Sequence, residues 1–535
     1  MNCDNLIINA RIVDGSGSPY RYGDVAVTGD AISAITPPGL FPIENAANVI
    51  DAAGKVIAPG FIDIQSHSLM PYLKDGRGLS KILQGVTTEI LGELWTPAPY
   101  GGRISQPPRP EAARDWKRFG DWISVYEERG VAANIGSFLG GGTVREWACG
   151  LDAAPATSEQ IAEMERVTSE AMEDGAFGIA PALIYPPDCY STDEQLTACA
   201  RVVARHGGIY IVHLRSEGDA FLEALEATIQ LSIDSDCPAE IYHFKASGRR
   251  NWQKFSQAIE RIDRARSAGV DITANMYPYS ASGTGLSVLI PAWVSEGGKL
   301  YENLADSVMR ERIREEMLSP TANSGDFSGD DEYPGYNRSE HVIPLGFQQP
   351  ENKIYTGRRL SEIASERGKD WAITTIELLL SEKQQISTLF FSMSEENVRL
   401  GLQQPWMKVS TDAAGLDPIT HRTPSHPRGY GTYPRVLGKY VREEKALTLE
   451  EAVRKMTSAA ANRLNLKRRG LLQEGFFADI VIFDPLVVAD RATFTDPHHF
   501  SVGIEQVFIN GELVVKDTQP TNALPGRTLR SVHIR

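Results

Sequence analysis

Cysteine is scarce in this chain: five in 535 residues, at positions 3, 149, 189, 199 and 237. No two of them form a Cys-x-x-Cys pair, so neither a disulfide framework nor a thiolate metal cluster is readable, and a reducing, cytoplasmic compartment is expected. Long apolar runs are also missing: no stretch reaches the roughly eighteen residues a membrane span needs. The N-terminus MNCDNLIINARIVDG lacks the basic-then-apolar order of a signal peptide. Basic charge is in deficit, with 54 Lys and Arg against 69 Asp and Glu, a net −15 and a pI near 5.3. Such a chain has no excess cations to displace counterions from phosphates, which argues against nucleic acid but for no particular substrate, since a pocket can be locally basic on an acidic protein. Histidine is sparse too, ten in all, so the position of each one carries weight.

What remains is an ordinary globular composition, 42% hydrophobic and 23% charged, on a length that allows several domain-sized units. The two ends are β-rich. Asn5 to Ile12, Asp24 to Val27 and Ala31 to Ile35 open the chain, while Ala478 to Phe483, Gln506 to Ile509 and Glu512 to Val515 close it, the last two joined by Asn510-Gly511, a hairpin signal. These ends are expected to pair into one small sheet domain. Between them eight short apolar runs alternate with helical stretches: Ala58 to Ile64, Val86 to Leu91, Ala132 to Phe138, Ala176 to Ala180, Ile209 to Val212, Ala239 to Tyr242, Val270 to Ala274 and Met407 to Val409. Continuous apolar runs are what doubly buried parallel strands require, and eight is the count of an α/β (β/α)8 TIM barrel. The interval from Asn275 to Met407 is too long for one helix, and an inserted subdomain or lid around 288–345 is expected there.

Four polar residues fall at the C-terminal ends of these runs, the face on which such barrels carry their active sites. They are His67 after the first, His213 after the fifth, His243 after the sixth and Asp412 after the eighth. A single histidine at such a place is commonly a hydrogen-bonded core residue. Imidazoles and carboxylates converging from several strands suit a catalytic Zn²⁺ with an open coordination position. Zinc lowers the pKa of a bound water to about 7, and a nearby carboxylate then takes the proton and returns it to a leaving amine.

The segment Ala58-Pro59-Gly60-Phe61-Ile62-Asp63 resembles the first-strand signature of the amidohydrolase superfamily. Gln84 to Thr88, His213-Leu214-Arg215-Ser216-Glu217-Gly218, His243-Phe244-Lys245-Ala246-Ser247-Gly248, Met276 to Tyr279, Ser392 to Glu396 and Ser425 to Gly438 resemble its N-acyl-D-amino-acid deacylase (D-aminoacylase) branch, in the right order over nearly the whole chain. The resemblance implies a zinc-dependent amide hydrolase acting on N-acyl-D-amino acids or dipeptides ending in a D-residue. It also implies a barrel over 59–462 and a small β-sandwich domain built from 1–58 and 463–535. Residue by residue, it makes His213 and His243 metal ligands and Asp412 the general base, with His67 as a further expected metal ligand. Arg428, Lys245 and Tyr277 become contacts to the substrate carboxylate. A guanidinium fork matches a carboxylate in a bidentate way, which agrees for Arg428.

Two positions depart from the pattern. Where the family has two histidines in the first-strand motif, this chain has Gln65 and only His67; an amide is a poor zinc ligand, so one zinc ion is expected rather than two. Where the family places a cysteine ligand, this chain has Leu94, and the adjacent Glu93 is expected to supply the missing ligand. These departures keep two further readings open: a hydrolase of a cyclic or otherwise specialised amide, and a metal-free descendant that only binds. Other features carry less. Asn134 to Gly142 is Gly-rich but lacks the Lys-Ser or Lys-Thr of a phosphate loop, and His498-His499 is expected at the surface with its rings on opposite faces of a strand.

Overall fold

The computed structural model describes residues 2–319 and 338–531. The two ends of the chain do pair. Cys3–Ile12, Arg21–Thr28, Ala31–Thr36, Ala46–Asp51 and Val56–Pro59 join Ile480–Phe483, Ile504–Ile509, Glu512–Lys516 and Gln519–Pro520 in one nine-stranded sheet, the junction being Ile57 opposite Ile482. Its buried face packs Ile7, Val25, Val27, Ile57, Ile480 and Phe508 into a core of their own. Asn510 and Gly511 turn the hairpin with positive φ of 48° and 83°, the backbone that an Asn-Gly turn needs.

Eight parallel strands follow: β1 (Phe61–Asp63), β2 (Val86–Leu91), β3 (Asn134–Ser137, resuming at Leu139–Gly140), β4 (Gly178–Ala180), β5 (Ile209–Val212), β6 (Ala239–Ile241), β7 (Ile272–Met276) and β8 (Met407–Val409). Each pairs in parallel with the next. Beyond β8 the chain returns to the segment beyond β1, where Ser66 bridges Ala413 and Asp412 N donates to Gln65 O at 3.0 Å. The helices between strands bury one face and cap themselves. Ser158–Glu173 and Asp193–Arg205 begin at Thr157 and Thr192, each exchanging hydrogen bonds with a glutamine three residues on.

Two expected boundaries move. The run Ala58 to Ile64 is not one strand: Val56–Pro59 belongs to the end sheet and Phe61–Asp63 to the parallel set. Gly60 is the step between them, where a Cβ would sit 2.2 Å from the Thr87 side chain. The seventh strand lies at Ile272–Met276 rather than Val270 to Ala274. The insertion between β7 and β8 carries a separate apolar core running from Leu286 to Phe390, wider than 288–345; of the expected segment, 320–337 lies outside the described residues. Ser282–Gly285, Val342–Pro344 and Ser387–Phe390 form its antiparallel three-stranded sheet.

Candidate active site

At the C-terminal ends of the parallel strands a cavity of about 690 Å³ opens, lined among others by His67, Glu93, His213, His243, Lys245, Tyr277, Asp412 and Arg428. All eight residues singled out in the sequence are therefore brought to one place. Glu93 follows β2 through Gly92, whose φ is 110° and whose Cβ would lie 2.2 Å from Phe138 O, so only glycine lets the chain turn there. Leu94, His243 and Asp412 also hold positive φ, at 63°, 33° and 48°. Non-glycine residues in that region persist where their surroundings over-determine them, as functional sites do.

Three donor atoms converge on one point. His213 Nδ1 and His243 Nε2 stand 2.9 Å apart, and Glu93 Oε1 lies 3.2 and 3.5 Å from them. Donors bound at about 2.0–2.1 Å to a tetrahedral zinc are themselves separated by about 3.3 Å, so this trio fits one ion. The far side of the His243 ring agrees. His243 Nδ1 lies 2.8 Å from Glu217 Oε1, a carboxylate that fixes the proton on Nδ1 and leaves Nε2 free to ligate. His213 Nε2 is buried with no hydrogen-bond partner among the described residues, 3.8 Å from the same oxygen.

A second trio shares Glu93. Its Oε2 lies 3.6 Å from His67 Nε2, which in turn sits 2.9 Å from Asp412 Oδ1. The Gln65 amide enters this group, with Nε2 2.6 Å from Glu93 Oε2 and 3.1 Å from Asp412 Oδ1. His67 is the open member, its side chain 42% exposed to the cavity.

Charge follows from this packing. Burial raises the Glu93 carboxyl, but hydrogen bonds from His213 and His243 outweigh it and hold the group well below the usual range. Burial likewise opposes ionisation of Asp412, and Arg428, His243 and His67 reverse it, so the carboxylate is ionised at neutral pH. Desolvation and the neighbouring His243 push His213 down, toward the neutral form a ligand needs. Glu217, buried but facing Lys245, His243 and His213, falls to about 2.

The carboxylate-binding candidates lie beside these donors. Arg428 Nη1 is 2.8 Å from Asp412 Oδ2 and Nη2 donates to Gly283 O at 3.0 Å, while Nε has no hydrogen-bond partner among the described residues. The guanidinium stacks 4.6 Å from the centre of the Tyr277 ring. Lys245 Nζ is engaged with Glu217 Oε1 at 2.5 Å and lies 2.8 Å from His243 Nδ1.

Two contributors escaped the sequence reading. Glu217 stands four residues after His213 in a quoted motif, so its spacing offered a signal. Lys81 offered little: it is fully buried under the site, bridging Asp63 Oδ2 at 2.6 Å, Thr411 Oγ1 at 2.7 Å and Glu89 Oε2 at 3.2 Å. Through Thr411 and Ser66, next to Asp412 and His67, it ties β1 to β8. His498 is not among the cavity residues, and its expected surface placement is corrected. It is half-buried rather than a surface ring on a strand, bonded to Tyr430 OH at 3.0 Å and Thr423 O at 3.1 Å.

A model of the amidohydrolase family matches residues 409–515. The D-aminoacylase of Alcaligenes xylosoxydans xylosoxydans is 33% identical over 533 residues, covering 98% of this chain and 97% of that one. The chain belongs to the D-aminoacylase family of amidohydrolases. Among solved D-aminoacylase-type structures, the N-acyl-D-glutamate deacylase of Bordetella bronchiseptica, complexed with zinc and a phosphonate mimic of the tetrahedral intermediate, is 28% identical with a TM-score of 0.81, covering 99% of this chain and 100% of that one. A D-aminoacylase with a binuclear metal centre, described as activated by one metal and attenuated by the second, is 30% identical with the same TM-score and coverage. Among the described residues no helix is long and apolar enough to cross a membrane.

Proposed function

We propose that this chain is a zinc-dependent amide hydrolase that removes the acyl group from N-acyl-D-amino acids. Its architecture reads as a (β/α)8 barrel over residues 59–462 with a small β-sandwich domain from 1–58 and 463–535. The insertion covers the barrel mouth. With all five cysteines unpaired, the cytoplasm is its proposed place of work.

The observation that carries the reading is the convergence of Glu93 Oε1, His213 Nδ1 and His243 Nε2 beside the Asp412–Arg428 pair. Three protein donors with a fourth position open toward a cavity is the arrangement of a catalytic rather than a structural zinc. An ion held there supplies the Lewis acidity that polarises an amide carbonyl and acidifies water. Asp412, ionised and at the cavity floor, takes the proton of the attacking water and hands it to the nitrogen of the departing amine. Arg428, which lines the cavity, is the contact for the α-carboxylate of the substrate, with Tyr277 backing the guanidinium. Lys245 adds positive charge on the same side while holding Glu217 behind His243. Leu94 cannot ligate, and Glu93 takes over the cysteine's place.

The convergent donors weigh against a metal-free binding descendant. The test is amine release from matched N-acetyl-D- and N-acetyl-L-amino acids by the zinc-loaded protein. Turnover of the D series alone is the expected result. Hydrolysis confined to ring amides such as hydantoins, or none by a protein that carries zinc, would overturn the assignment.

A further inference from the structure

Gln65 occupies the point between the two carboxylates of the second trio. Its Nε2 lies 2.6 Å from Glu93 Oε2 and 3.1 Å from Asp412 Oδ1, so the two N–H groups of one amide are aimed at the two oxygens that a second ion would need. The side chain is buried, at 1% exposure, and its orientation is fixed from behind: Oε1 faces the Ser410 hydroxyl at 3.3 Å. The flipped amide would set Oε1 against two carboxylates, which is repulsive where water is excluded.

Resting on the reading of Glu93, His213 and His243 as metal ligands, we infer that the Gln65 carboxamide is a built-in substitute for a second cation. It donates to both carboxylates and commits the centre to a single ion. The amide satisfies Glu93 Oε2 and so directs Oε1 to the first trio. It likewise satisfies Asp412 Oδ1 without the charge that an ion would place beside the base. Among the described residues, the only imidazole left on that side, His67, has its Nε2 on Asp412. Gln65 is thus a positioning residue, acting through the two carboxylates rather than on substrate. The related D-aminoacylase with a binuclear centre is described as attenuated by its second metal; a chain whose second position is filled by an amide has no such position to fill.

The test is metal stoichiometry. Full-length protein is dialysed to equilibrium against excess zinc, and metal per chain is measured by plasma mass spectrometry for wild type and Gln65→His. Wild type should saturate at one ion and the variant, with two histidines in the motif, at two. In parallel, both proteins loaded with cobalt(II) should differ in their electron paramagnetic resonance: an isolated high-spin ion in wild type, an exchange-coupled pair in the variant. Wild type taking two ions overturns the inference whether or not the variant folds. So does a variant of wild-type circular dichroism that stays at one. Wild type holding none overturns the ligand set itself along with it.

Discussion

Glu217 Oε1 lies 2.8 Å from His243 Nδ1, on the side of the ring away from Glu93. A carboxylate behind a ligating imidazole fixes its tautomer and raises its basicity, and loss of such a partner costs about 10- to 100-fold in metal affinity. Glu217→Ala should therefore weaken zinc binding by about that factor in competition with a chromophoric chelator. Glu93→Ala removes a ligand and should leave the protein nearly metal-free after dialysis, whereas Gln65→Ala should keep its zinc. Equal zinc in all three would show that the donors play no part in holding metal.

Asp412 is held by Gln65, His67 and Arg428 and bent to a positive φ. Asparagine keeps its size and one carbonyl oxygen but cannot accept and return a proton. Asp412→Asn should lose about 10²–10⁴-fold in kcat while retaining zinc and an unchanged thermal midpoint. Activity within a few-fold of wild type would move the base elsewhere.

The strands were legible because doubly buried parallel strands are largely apolar on both faces, and Ile209–Val212 can hardly read otherwise; Val86–Leu91 read less clearly, with Thr87, Thr88 and Glu89 at its centre. His67, His213, His243 and Asp412 were legible because they follow those runs directly, whereas Glu93, Lys245, Tyr277 and Arg428 were legible only through the family resemblance. What failed was information held in three dimensions. Ser282–Gly285 is a short polar strand with no periodic signal, so the width of the insertion was hidden. Lys81 lies between Leu79, Ser80 and Ile82, and nothing in the sequence says that two carboxylates and a threonine hydroxyl await its ammonium in the interior. Gln65 read as a lost ligand; only its distances to Glu93 and Asp412 make it a donor in its own right.

The cavity beyond Arg428 is lined by Ser282, Thr284, Gln385, Ser387, Thr388 and Leu389 from the insertion, all uncharged. The lining cations Lys245 and Arg428, beside Glu217 and Asp412, are already assigned to the α-carboxylate. His426 is held neutral by burial and Arg428, with Nε2 on Ala281 O and Nδ1 accepting from Arg428 N. Among the described residues this end offers no spare positive charge to an acidic side chain. A buried carboxylate left unpaired costs at least about 2 kcal/mol. N-acetyl-D-amino acids with neutral side chains should thus exceed N-acetyl-D-glutamate and N-acetyl-D-aspartate in kcat/KM by about 30-fold or more. A preference for the acidic substrates would contradict it.

Asp188, buried beside the cavity with Oδ2 accepting from Ala182 N at 2.8 Å, is raised by desolvation to about 7 despite Arg145 and Arg215 nearby. Its folded-state pKa thus stands above the ordinary 3.8, so between those values the folded protein binds the proton that the unfolded chain has released. Stability falls as pH rises through that window, by at most on the order of 4 kcal/mol if Asp188 acts alone. Asp188→Asn keeps an acceptor for Ala182 N and carries no titration. The variant should be matched to wild type or slightly weaker at pH 4, and more stable at pH 8, with the crossover visible in urea midpoints across that range. Parallel midpoint-versus-pH curves for the two proteins would mean that Asp188 is ionised in the fold at neutral pH and that the two arginines outweigh its burial.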